Sequence, residues 1–149
     1  IMICMGPGIV GTGTKYGFTG IEQGYLLDAI MRLGGKPIAL PRISFSDLRD
    51  RHKGLSHHSI TILKDIVNSS CVVPYNIVDS NKLDYFTEQI KNNKLDKKHE
   101  FMNMKKNNYK KFIDSFLVNP SSMGRTYKDE PYLFDACIAA ADFIIGGNH

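Results

Sequence analysis

The sequence has no run approaching the roughly 18 consecutive apolar residues that a membrane span requires. Its opening, IMICM, is too short for a secretory h-region and carries no basic leader. Neither a membrane-spanning nor a secreted protein is expected. Cysteine is scarce: Cys4, Cys71 and Cys137 lie far apart, which excludes a disulfide framework and the paired spacing of a zinc module. Two lie in the apolar runs IMICM and CVVP, Cys137 lies in DACIAAA, and all three read as small buried hydrophobes in a reducing compartment, which points to the cytoplasm. Three motifs are also missing. Without G-K-[ST] there is no Walker A loop, without G-x-S-x-G no nucleophile elbow, and without H-x-x-x-H no helical metal pair. No internal repeat is present.

What remains is 149 residues, 42% hydrophobic and 23% charged, enough for one α/β domain over residues 1–149. Because the chain enters an apolar run at Ile1, it is expected to be a fragment or the carboxyl-terminal half of a longer protein. The net charge is +4, and much of the excess lies between Lys91 and Lys111. That run is Lys and Asn rather than Arg, with only Phe101 and Tyr109 interleaved. It reads as a solvated face more than a nucleic-acid surface.

Periodicity predicts five helices and four strands. A strand over Met2–Met5 precedes a glycine-rich loop. Thr19 to Glu22 then reads as a capping box. Leu26, Ala29, Ile30 and Leu33 form an apolar stripe that Gly34-Gly35 terminates. Lys36–Ile43 is a second, proline-bounded strand, and a polar loop leads to Ser56, the N-cap of a helix with Ile62, Leu63, Ile66 and Val67 inside. Cys71–Val78 is a third strand. Asp79 or Ser80 caps a polar helix to about Asn92, and His99–Met104 is a fourth strand. Tyr109, Phe112, Ile113 and Phe116 mark another helix, and Asp129 caps the last, with Pro131 in its first turn. Alternating strands and helices predict a three-layer, mostly parallel, Rossmann-like sheet of about four strands with helices on both faces. Ligands would bind beyond the strands' carboxyl ends.

Seven glycines lie between Gly6 and Gly24, and such a concentration of backbone freedom needs a reason. GPGIVG satisfies G-x-G-x-x-G, yet Pro7 stiffens the turn, the helix starts about ten residues late, and Arg42 stands where a ribose-binding acid would be. Gly8, Gly11, Thr12, Gly13 and Thr14 instead offer amides and hydroxyls for an anion nest, near Lys15 and a following helix N-terminus. The alternative is a loop that packs against a neighbouring strand or a partner domain.

Pro41 to Ser59 is dense in chemistry. Three of the five histidines, His52, His57 and His58, fall there, with Arg42, Arg49, Arg51 and Ser56, and Asp47 and Asp50 between. Histidines in a first helical turn are kept neutral by the helix dipole and can act as acid, base or ligand. His57 and His58 point about 100° apart, so both binding one ion is awkward, though His52 and one of them can meet if the loop folds back. Metal-free chemistry therefore ranks first: His52, His57 and His58 as acid/base groups, Arg42 and Arg51 as anion contacts. No metal or cofactor is named. Pro120 to Glu130, with Ser121, Ser122 and Arg125, is a weaker anion spot.

GPGIVGTGTKYGFTG, RISFSDLRDRHKGLSHHS and SSMGRTYKDEPYLF together resemble the carboxyl-terminal half of a bacterial family known as domain of unknown function 3866. The likeness covers most of the chain, less well in the Lys/Asn-rich middle. It implies kinship and a preceding amino-terminal half, and it supplies no catalytic roles. Three functions stay open. One is an enzyme domain acting on a small anionic or phosphorylated metabolite. The second is a non-catalytic nucleotide or anion sensor. The third is a structural half-domain seated against a missing amino-terminal part or another copy.

Overall fold

The computed structural model describes residues 1–4 and 10–146. Gly8, part of the expected anion loop, and Met5, the end of the expected first strand, lie outside them.

All five helical patterns yield helices. They are α1 (Glu22–Arg32), α2 (His57–Thr61), α3 (Ser80–Asn92), α4 (Tyr109–Asp114) and α5 (Pro131–Gly146). α1 stops where expected. Gly34, at φ +78°, donates to the Met31 carbonyl and Gly35 to that of Ile30, the paired closure of a left-handed glycine cap. α2 runs directly into a π-helical turn over Ile62–Ile66, which buries Ile62 and Leu63. Asp79 caps α3 by accepting from the Lys82 amide.

Three expected side-chain caps do not form, those of Thr19, Ser56 and Asp129. Thr19–Ile21 is a 3-10 turn, and the Thr19 hydroxyl accepts from the Val10 amide instead of closing a capping box. The Asp129 carboxylate accepts from the amide and hydroxyl of Thr126 in the preceding turn rather than from α5. The stripe read on α1 also faces the other way. Gly24, Leu27 and Asp28 are buried, whereas Leu26 and Leu33 are exposed. Two of the three cysteines are likewise exposed, Cys4 and Cys137, and only Cys71 is buried.

The strands are the larger correction. Among the described residues they form three two-stranded sheets: β1 (Ile43–Ser44) with β2 (Gly54–Leu55) and β5 (Ser121–Ser122) with β6 (Arg125–Thr126), both antiparallel, and β3 (Val72–Tyr75) with β4 (Glu100–Asn103), parallel. The three-layer, mostly parallel, Rossmann-like sheet is not there. Met2 to Cys4 form no strand, and Lys36–Ile43 contributes a single parallel bridge, Ile38 to Val72. Pro37 and Pro41 carry no N–H, so this segment can supply little of a ladder. Two bonds remain, Ala39 N–H to the Val72 carbonyl and Val72 N–H to the Pro37 carbonyl.

What survives of the alternation is one βαβ unit. β3 and β4 run parallel, with Val72 opposite Glu100 and Tyr75 opposite Asn103, and α3 makes the crossover. β3 is buried along its length, as a strand covered on both faces must be. Phe86 of α3 packs on Tyr75, with ring centroids 4.7 Å apart, and α5 also lies against β3. Leu55, Val73, Ile77, Phe86 and Ala136 belong to this main core, and Tyr109, Ile113, Ile138 and Ala139 form a smaller one between α4 and α5. No helix of the described residues is long and apolar enough to cross a membrane.

Candidate functional site

The histidine segment is built by a tight return of the chain. Asp50–His52 forms a 3-10 turn, Gly54 reverses direction at φ +68°, and α2 starts at His57. A side chain at Gly54 would be strained and would also collide with Gln89 and Tyr85. The Arg42 carbonyl accepts from the Ser56 amide, and its own amide donates to the Ser59 hydroxyl, each at 3.0 Å. Arg42 is thereby tied to the first turn of α2.

This fold-back brings all three histidines together. Ring centroids lie 4.8 Å apart for His52 and His57, 4.0 Å for His57 and His58, and 5.5 Å for His52 and His58. One nitrogen from each ring can be chosen so that all three lie within 4.8 Å of one another. The sequence placed His52 with one member of the pair; the structure adds the other.

Each ring has a distinct surrounding. His52 is buried, and its Nδ1 lies 3.0 Å from the Ser56 hydroxyl, itself fully enclosed. Ser56 occupies the N-cap position but makes no side-chain cap bond, because its hydroxyl faces His52. His57 Nε2 is buried and has no hydrogen-bond partner among the described residues. The His58 ring is stacked against Phe18 at 4.4 Å and 23°.

Burial and cationic neighbours keep the trio neutral. His52 is pushed down to about 4, first by burial and then by Arg49 and His57. His58 is likewise lowered to about 4 by burial, by His57 and His52, and by Arg51 and Arg42. His57 moves the same way through burial, Arg51 and Arg49. The direction matches the sequence expectation, but the cause is desolvation and guanidinium charge more than a helix dipole.

Asp47 holds the arginines. Its buried carboxylate accepts from Arg49 Nε and Nη2, both at 2.9 Å, and that paired contact, offset in part by burial, lowers its pKa well below the usual range. Arg42 Nη2 is 4.0 Å from the same carboxylate, and Arg51 is exposed.

Phe18 joins the described part of the glycine loop to this centre. Gly11 and Phe18 bridge as antiparallel partners, and Phe18 carries the stack onto His58. Yet Thr12 and Thr14 do not present an open nest. Their hydroxyls lie 3.0 Å apart over Gly17, and the Thr12 hydroxyl also donates to the Gly17 carbonyl. Gly13, at φ +82°, makes the loop's turn. Lys15 pairs with Asp65 at 2.9 Å. The weaker anion spot is also engaged, since Arg125 pairs with buried Glu130 at 2.6 Å.

A hollow of about 230 Å³ opens away from the histidines, near the carboxyl ends of β3 and β4, between Asn76, Lys106, Tyr127 and Asp135. Its polar groups mainly bond one another: Asp135 accepts from Tyr127 and Asn76, and Asn76 accepts from the Lys106 amide.

Sequence reasoning missed Phe18, which no motif marks, and the true partner of Ser56. The spacing of His52 and Ser56 four residues apart was a usable signal for the second.

A family model described as Protein of unknown function (DUF3866) matches residues 1–141, nearly the whole chain. No curated protein and no solved structure matches it.

Proposed function

We infer, from the premise that this chain belongs to the DUF3866 family of proteins of unknown function, that its histidine centre is the working part of an enzyme domain for a small anionic metabolite. One observation carries the reading: three neutral imidazoles converge beside Arg42 and Arg51. Neutral rings near pH 7 can take or give a proton, and guanidiniums attract phosphate or carboxylate. The loop from Gly11 to Thr14 acts as a flank of the centre that can open toward an anion, its hydroxyls exchanging their mutual bond for the ligand. The setting is the cytoplasm of a bacterium.

The test is a screen of phosphorylated and carboxylated metabolites, with thermal stabilisation as the measure of binding and product formation as the measure of turnover. Stabilisation and turnover that both vanish in H57A/H58A support the enzyme. Stabilisation without turnover makes the centre a sensor. A response unchanged in that variant removes the centre from either role.

A second reading is favoured by a separate observation. The apolar stripe of α1 is uncovered, with Tyr25, Leu26 and Leu33 exposed. In this reading the chain is the carboxyl-terminal half of a family member, and that stripe seats against the preceding half or a second copy. Such a role is compatible with an active histidine centre elsewhere on the surface.

A further inference from the structure

Resting on the reading of this centre as a site of chemistry, we propose that His52, His57 and His58 together hold one divalent transition-metal ion of the zinc class, with a fourth position left open. The first argument is the donor set. Tetrahedral zinc with bonds of about 2.0–2.1 Å to imidazole places its nitrogens about 3.3 Å apart. The three candidate nitrogens already lie within 4.8 Å of one another, so small ring rotations complete the set.

The second argument is the unpartnered nitrogen. His57 Nε2 is shut away from solvent and bonds to nothing among the described residues. Buried polar atoms find partners as a rule, and a bound ion would satisfy this one through its lone pair.

The third argument is the support around the ligands. A metal-binding imidazole is normally oriented by a hydrogen bond at its other nitrogen. Ser56 takes Nδ1 of His52 in this way, which leaves its Nε2 available to an ion. Phe18 stacks on the His58 ring and holds its plane.

The choice of metal follows from the ligands. Imidazole alone suits zinc, copper, nickel or iron, whereas magnesium and calcium want oxygen. Asp47 is the adjacent carboxylate, and both its oxygens are engaged by Arg49. Three protein ligands and an open place are the pattern of a catalytic zinc site, not a closed structural one. With Arg42 and Arg51 beside it, that place would favour an anion over a neutral molecule.

The experiment uses the whole chain, stripped with a chelator and titrated with Co(II), whose visible spectrum reports geometry. The expected result is uptake of one equivalent with intense absorption of a four-coordinate site, displaced by one equivalent of zinc. H52Q, H57Q and H58Q, each checked for folding by circular dichroism, should weaken binding at least tenfold. S56A, which keeps every ligand, should weaken it about 10- to 100-fold. Absence of uptake by the wild-type chain overturns the proposal, as does uptake that folded H57Q leaves unchanged. Inorganic phosphate separates the two readings. Phosphate that stabilises the metal-free chain while Co(II) is refused leaves the anion site standing without its metal. Stoichiometric Co(II) with a spectrum indifferent to phosphate keeps the metal and removes the anion.

Discussion

The Ser56 hydroxyl lies 3.0 Å from Nδ1 of His52, four residues earlier in the chain, in a contact that neither solvent nor the helix backbone shares. It stands in place of an N-cap bond and engages one of the two His52 ring nitrogens. S56A should therefore do two things. Losing the buried bond should cost about 1 kcal/mol of stability in urea titration. Nitrogen-detected NMR should show a changed tautomer balance at His52. An unaltered His52 signal would mean that the hydroxyl does not orient the ring.

Acid should weaken the fold in two separable stages. His52 and His58 are held near 4, below the ordinary 6.5, so between those values the unfolded chain binds protons that the folded chain refuses. Stability then rises with pH across that window and levels off above it. His57 and His99, also lowered by burial, add to the same slope. Asp28 is lowered too: burial opposes the shift, but the backbone amides of Ser69 and Asn68 outweigh it, and Arg49 holds Asp47 down. Their contribution is lost only as pH falls below the usual carboxylate value. Melting temperature measured from pH 8 to 3 should show both stages, and H52Q/H58Q should flatten the first while sparing the second. A first stage of equal size in that variant would refute the assignment.

Phe18 joins the glycine loop to the centre while sitting 5% exposed in the main core. F18A should cost about 3 kcal/mol in chemical denaturation, the usual toll of a buried phenyl ring. It should also free the His58 ring, seen as a rise of its pKa toward 6.5 by NMR. A stability loss without that rise would mean that burial by other residues, not the stack, keeps His58 neutral.

How much of this was readable follows from what each signal depends on. The five helices were legible because a 3.6-residue period is a local property. The Gly34-Gly35 stop and the Asp79 cap were legible because each involves only neighbours. Strand pairing is not local. Lys36–Ile43 looked like a strand by hydrophobicity, but its prolines leave one bridge, and β1 and β2 pair only because Gly54 turns the chain back. The histidine cluster was half visible: nearness in sequence marked the three residues, while their convergence depends on that same turn. On α1, the pattern identified an apolar stripe correctly and its burial incorrectly. Leu27 and Asp28 face inward because the Asp28 carboxylate is needed to collect the amides of Asn68 and Ser69.

Gly24 tests how closely α1 approaches the π-helical turn. A Cβ there would come within 2.5 Å of Ile66 Cγ2 and 2.9 Å of its Cβ. Ile66 is branched at that carbon and cannot swing clear. G24A should destabilise by about 1–3 kcal/mol through overpacking, despite alanine's better helix propensity. A neutral or stabilising effect would show that α1 can slide on its support.

The exposed stripe of α1 makes a different demand. Leu33 is 87% exposed and Tyr25 61% exposed, so neither adds much to the fold of the isolated chain. Replacing surface residues of this kind usually changes stability by less than about 0.5 kcal/mol. L33K together with Y25K should thus leave the melting temperature nearly unchanged. If the stripe seats a partner, the same pair of changes should abolish association, because two desolvated ammonium groups cannot be accommodated in an apolar contact. Sedimentation of the wild-type and variant chains over a range of concentrations separates the cases. Wild-type association lost in the variant supports the seating face. Association that persists places the contact elsewhere, and a wild-type chain that stays monomeric leaves α1 with an apolar surface open to solvent and no role in self-association.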